Sequence, residues 1–129
     1  MRVMTYKLKN PQEIEIFIPL LSQYLSAQGI NEEQRLDIIF CLRESLNNAF
    51  LHGGKKNLEP LVKVEAGKQG NVFSFKVIDG GDALIEEKPC LEGDISEHGR
   101  GLWLMRALLD EVYLEKGAVG GKLTIQTDE

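Results

Sequence analysis

The chain has 129 residues, 43% of them hydrophobic and 27% charged, and a formal net charge of −5. That length and apolar share suit a single soluble domain over residues 1–129, and the acidic balance argues against a nucleic-acid binder, though not against a phosphate ligand held by backbone N–H groups. No apolar run nears the ~20 residues of a membrane span, "MRVMTYKLKN" lacks the apolar core of a signal peptide, and Cys41 and Cys90 have no metal-type spacing, which points to a reducing, cytoplasmic setting without a disulfide framework.

In chain order, Arg2 to Lys9 alternates, with Val3, Thr5, Lys7 and Lys9 on one side and Met4, Tyr6 and Leu8 on the other, as a half-buried strand does. Asn10-Pro11 then reads as a helix cap with Pro at the first helical position. Ile14, Phe17, Ile18, Leu21, Tyr24 and Leu25 recur at helical spacing, and Gly29 ends that helix. Asn31 opens a second helix whose Asn-Glu-Glu-Gln start resembles a capping box; it is expected to run to about His52 and stop at Gly53-Gly54.

Leu61–Ala66 and Val72–Ile78 read as strands joined by the turn "GKQGN". The chain from Asp79 to Gly99 is irregular, and a loop of that length is uncommon unless functional or mobile. A third helix is expected from Gly101 to Glu111, then a hairpin of Val112–Glu115 and Lys122–Thr127 around "KGAVGG". Strands do not alternate regularly with helices, so the expected class is α+β: a two-layer sandwich with three main helices on one face of a mostly antiparallel, mixed sheet.

Within "CLRESLNNAFLHGG", Glu44, Asn48 and His52 stand at steps of four. Each such step advances about 40° on a helical wheel, so the three form one polar strip, with Leu42, Leu46 and Ala49 on the opposite side. A solvated flank is the plain reading. Against it, Phe40 and Leu51 border the strip, and Asn is a poor residue for an exposed helix interior. An Asn carbonyl suits Mg2+, and a Glu one turn away can take a proton.

Two glycine clusters follow. "VIDGGDAL" puts Asp79, Gly80 and Gly81 at a strand end: either a plain Asp-Gly turn or a carboxylate facing an exocyclic amine beside a flat ring. "EHGRGLWLM" opens the third helix, where Gly99 and Gly101 allow close backbone approach and first-turn N–H groups offer a phosphate site, or simply a flexible cap. Neither a Walker A loop nor a Rossmann fingerprint is present. Trp103 reads as core or interface, Cys41 and Cys90 as inert thiols, and His98 as a loop residue.

Taken in order, these motifs resemble the nucleotide-binding module shared by gyrase, ninety-kilodalton heat-shock chaperones, sensor histidine kinases and mismatch-repair proteins. "RESLNNAFLHGG" and "HGRGLWLMRALLDEV" further resemble the anti-sigma factor serine kinases of bacterial partner-switching systems, over roughly Tyr6 to Ile125. The resemblance implies an ATP- and Mg2+-dependent protein-serine kinase that phosphorylates a STAS-type anti-anti-sigma partner and binds a sigma factor. It also implies a cytoplasmic homodimer, through the first helix and the Tyr6 strand.

By the same resemblance Glu44 is the base toward the substrate serine and Asn48 holds Mg2+, Asn47 being a variable neighbour. His52 lies near the phosphates or the lid, and Asp79 reads adenine with Gly81 beside the ring. The N–H groups of Gly99, Arg100 and Gly101 cover the phosphates, Leu102 continues that turn, and Arg100 either adds charge against the γ-phosphate or is an exposed helix-cap residue. Three departures stand out. Ala83 occupies the second glycine of the usual Asp-x-Gly-x-Gly. Gly121 or Lys122 stands where a threonine usually assists the adenine aspartate. The lid "EEKPCLEGDISEHG" has no Thr and one Ser. These departures keep open a nucleotide-dependent binding module with little kinase activity. A detached histidine-kinase domain would need an acceptor histidine, and His52 and His98 both lie inside the nucleotide motifs.

Overall fold

The structure, a computed structural model, describes residues 3–53, 62–79 and 97–126, with the backbone path alone at 52–53 and 97–100. The order is β1 (Val3–Leu8), a single 3-10 turn (Pro11–Glu13), α1 (Ile14–Ala27), α2 (Glu32–Asn48) and a wide π-type turn (Ala49–Gly53). Then come β2 (Val62–Gln69), β3 (Val72–Ile78), α3 (Glu97–Leu108), β4 (Glu111–Glu115) and β5 (Ala118–Thr124). The sheet order is β1-β2-β3-β5-β4, and all four pairings among these strands are antiparallel, so the mixed character expected from the sequence is not seen among the described residues. The class is α+β, with the helices on one face.

Alternation decides the faces. Val62, Val64 and Ala66 of β2, Phe73, Phe75 and Val77 of β3, and Val119 and Leu123 of β5 are buried with Phe17, Leu21, Ile38, Leu42, Leu46, Leu102 and Met105 of the helices. The intervening residues turn to the open face, where Lys63–Glu65, Lys76–Glu115 and Lys122–Glu111 pair charges. These exposed pairs add little stability; their effect is to keep that face wet.

Local chemistry sets the element ends. The Asn10 side chain accepts from the Glu13 N–H at 3.1 Å, and Pro11 fills the first helical position. At the end of α1, Gly29 takes φ +77°, Gly29 N–H donates to Ser26 O (3.0 Å) and Ile30 N–H to Leu25 O (3.3 Å). This is a Schellman end with Ile30 and Leu25 both buried. Asn31 caps α2 by accepting from Gln34 N–H at 2.8 Å. The capping box does not close as the sequence suggests. Gln34 instead reaches across to the end of β5: its Nε2 donates to Thr124 O and its Oε1 accepts from Gln126 N–H, both at 2.8 Å.

Both hairpins are tighter than expected. β2 and β3 are joined by Gly70-Asn71 alone, with Gly70 at φ +61°, and β4 and β5 by Lys116-Gly117, with Gly117 at φ +75°. One left-handed glycine suffices to reverse each pair, so Gly67 to Gln69 and Ala118 to Gly121 are strand, not turn.

The Gln34 bridge predicts a local effect. Gln34→Ala should cost about 1 kcal/mol, in line with the net worth of intramolecular hydrogen bonds. The Gln126 amide should lose far more exchange protection than amides in the centre of β3, as native-state hydrogen exchange would record.

Candidate functional site

Helix α2 buries Ile38, Cys41, Leu42, Ser45, Leu46 and Asn48, and Ala49 follows buried in the next turn. These positions span a wide arc of the helical wheel, and Asn48 lies inside its edge, only 7% exposed. The polar row is therefore not a flank opposite the core. It runs along the rim of the buried face, with Glu44 half-buried, Asn48 buried and Asn47 pointing outward to solvent. Ser45 and Asn48 are the two buried polar residues among the described residues.

Ser45 is a contributor that sequence reading passed over. Its hydroxyl donates to Cys41 O at 2.8 Å, one turn back, and lies 3.6 Å from the Met105 sulfur of α3. A hydroxyl satisfied by its own helix can be buried at an inter-helix contact without a partner across it. The available signal was a serine set between Leu42 and Leu46 on the core arc.

The row's third member departs from the expected geometry. α2 ends at Asn48, and His52 lies in the wide turn Ala49–Gly53. A π-type turn carries more residues per revolution, so a step of four no longer gives the ~40° advance of an α-helix. The His52 side chain lies outside the described residues.

α3 begins at Glu97, four residues earlier than Gly101, the expected start. Gly99-Arg100-Gly101 thus lies inside the helix. By the i→i−4 pattern, Gly101 N–H turns back to Glu97 C=O and Arg100 N–H to the residue before the helix, leaving the N–H groups of residues 97–99 outside the helix's own ladder. The Arg100 side chain is outside the described residues. Leu102 has no exposure and belongs to the core, so only its backbone is available to a ligand. Trp103, expected as core or interface, is 50% exposed.

The helices meet at Glu44 and Gly101. A Cβ built on Gly101 would lie 2.7 Å from both Cγ and Cδ of Glu44, and its nearest neighbour would be Glu44 Oε1. The carboxyl group therefore rests on the α3 backbone. Its charge is also felt inside α2: the Cys41 thiol is pushed from 9.0 up to about 12, first by burial, then by the negative charges of Asp37 and Glu44.

Asp79 stands at the end of β3 and donates its N–H to Gly117 O at 2.9 Å. Alternation from Phe73, Phe75 and Val77 puts it on the helix-bearing face. Gly121 lies four ladder positions away, opposite Phe75, and shares that face, whereas Lys122 points to the open face beside Glu111. Of the two candidates for the missing threonine, only Gly121 is on the correct side. The space a side chain would use there is filled: a Cβ on Gly121 would meet Leu109 Cδ1 at 2.5 Å and the Phe75 ring at 3.0 Å. Gly81, Ala83, Cys90 and the lid lie outside the described residues.

Among the described residues no cluster of three or more His, Cys, Asp or Glu could by itself hold a metal ion. Mg2+ is usually bound through substrate phosphates and needs as little as one protein oxygen. A buried amide at the end of α2 can supply that oxygen.

Comparison with known proteins agrees with this architecture. The family model described as "Histidine kinase-like ATPase domain" matches residues 9–127. A sequence search of curated proteins finds no match. Among solved structures, the chain is similar to the crystal structure of the RsbU and RsbW domains of Rv1364c from Mycobacterium tuberculosis. The TM-score is 0.72 and the identity 19%, covering 100% of this chain and 33% of that chain. At that identity the likeness is one of fold, and this chain spans about a third of the length of its match.

Two outcomes follow from the packing and charge. Gly121→Thr, which installs the usual residue, should destabilise by roughly 1–3 kcal/mol through overpacking against Leu109 and Phe75, measured by chemical denaturation. For Cys41, the raised folded pKa means its contribution to stability is complete below pH 9.0 and is lost as pH rises toward 12. In a Cys90→Ser background, alkylation of Cys41 at pH 8 should await unfolding.

Proposed function

Because the chain belongs to the histidine kinase-like ATPase family, we propose that it is an ATP- and Mg2+-dependent protein-serine kinase. In this reading it is the anti-sigma factor of a bacterial partner-switching system, acting on a STAS-type anti-anti-sigma protein and working as a cytoplasmic homodimer. The observation that carries the chemical part is the half-buried Glu44 carboxylate, one turn from buried Asn48 and seated on the α3 backbone at Gly101. Likeness of fold to a chain whose solved part includes an RsbW domain supports the regulatory part.

Each residue then has a stated task. Glu44 takes the proton from the substrate serine hydroxyl as that oxygen bonds to phosphorus and ADP departs, the ordinary work of a positioned carboxylate. Asn48 offers its side-chain oxygen to Mg2+. The first-turn N–H groups of α3, including that of Gly99, face the phosphates, and Asp79 accepts from the adenine amine beside Gly81. His52 follows in the turn after α2, near the phosphates or the lid. Mg2+, when bound, supplies charge neutralisation to the transferring phosphoryl group.

A second reading has its own observation. Leu109 and Phe75 fill the space over Gly121, where the resemblance expects a threonine supporting base recognition. A nucleotide-dependent binding module that holds its partner without phosphorylating it fits that packing.

Titration calorimetry and mass spectrometry separate the two. Asn48→Ala should weaken Mg2+-dependent ATP binding at least about tenfold. Glu44→Ala should leave ATP binding within about threefold but reduce phosphoserine formation on the partner by roughly 10²–10⁴. Phosphoserine unchanged in Glu44→Ala sinks the assignment of the base. Normal ATP binding with no phosphoserine in the wild type favours the binding module.

A further inference from the structure

Gly101 is the fifth residue of α3, a position where glycine has no conformational reason to be. The positive-φ glycines among the described residues are Gly29, Gly70 and Gly117, so Gly101 has backbone angles open to any residue. A glycine inside a helix is less favourable than alanine. Its N–H turns back into the helix, which removes it from the donors facing a ligand. The remaining demand is space, and one side chain occupies it: the three nearest atoms to a Cβ at this position are Oε1, Cδ and Cγ of Glu44.

We propose that Gly101 is a positioning residue for Glu44. Its missing side chain lets the carboxylate lie flat against the α3 backbone, near that helix's N-terminal turns. This rests on the reading of Glu44 as the base. A methyl at Gly101 meets the far end of a flexible side chain, not backbone, so α3 stays in place and the carboxylate moves aside. Displacement of a reacting group by about 1 Å can cost about 10²-fold in rate. Gly101 lies in the second turn of α3, and the partial positive charge of a helix N-terminus favours a carboxylate close to it.

The test uses the full chain with Mg·ATP and the STAS-type partner, reading ATP affinity by calorimetry, turnover by phosphoserine formed on the partner, and melting temperature. Gly101→Ala should hold ATP affinity within about threefold while kcat falls about 10²-fold, a split that marks lost positioning rather than lost binding. Adding Glu44→Asp, one methylene shorter, should recover about tenfold of kcat over Gly101→Ala alone. Gly101→Ala should raise the melting temperature more in a Glu44→Ala background than with Glu44 present, because helix propensity then acts without the clash. Loss of ATP affinity at unchanged kcat, failure of the Asp rescue, or an equal melting shift in both backgrounds overturns the proposal. Wild-type protein that neither binds nor turns over Mg·ATP overturns the nucleotide reading instead. The two failures are distinguishable because the melting comparison needs no ligand.

Discussion

Everything at the candidate site depends on how closely α2 and α3 approach. Ser45 satisfies its hydroxyl on Cys41 O and leans on Met105, and Glu44, the next residue on the rim, covers Gly101. A larger group at Ser45 would part the helices, and a polar group without its own bond would be costly to bury there. The same closeness that seals the core thus brings a carboxylate onto the backbone of a second helix. α2 has to serve both purposes at once, because its buried arc runs up to the row that carries Glu44 and Asn48.

Much of this was legible before any coordinates. Alternation found β1, and Gly29 and Asn31 marked the boundary between the first two helices because each supplies a specific bond or backbone angle there. The two-layer class followed from element order. What escaped reading has particular causes. The start of α3 was placed four residues late because Gly99 and Gly101 look like helix punctuation, whereas packing on Glu44 asks for a small residue inside the helix. The turns were drawn too long because extra glycines, Gly67, Gly120 and Gly121, sit in strands, and neighbouring side chains fill the space over Gly120 and Gly121. The rim position of Glu44 and Asn48 was legible from spacing and from the bordering Phe40 and Leu51, but their depth was not. Spacing gives an angle, and only packing tells how far the core extends around the helix.

β5 shows how a departure from an expected motif can be absorbed by the fold. Gly120 turns to the open face and lies beneath the Tyr113 ring, while Gly121 turns to the helices and lies beneath Phe75 and Leu109. Consecutive glycines on opposite faces each receive a large neighbour, an arrangement that restores packing to a strand otherwise weakened by two missing side chains. The absent threonine has therefore not left a hole. Whatever assistance the Asp79 carboxylate receives comes from elsewhere than Gly121, which the register sets opposite Phe75 and four positions from Gly117, the residue that accepts the Asp79 N–H.

The wide turn after Asn48 completes the physical account of the row. Had α2 continued unchanged, His52 would have followed Asn48 at the same angular step as Asn48 follows Glu44. Regular helix ends at Asn48 instead, and π-type turns inside or after α-helices are frequent at functional sites because they shift side chains out of helical register. Here the shift falls right after the buried amide. The two residues that spacing and burial jointly support, Glu44 and Asn48, are thus held by rigid helix, and the chain is released from that register only once they have been placed. In the proposed kinase, which has to fix a base and a metal ligand within one turn yet admit a nucleotide beyond them, that division is an advantage.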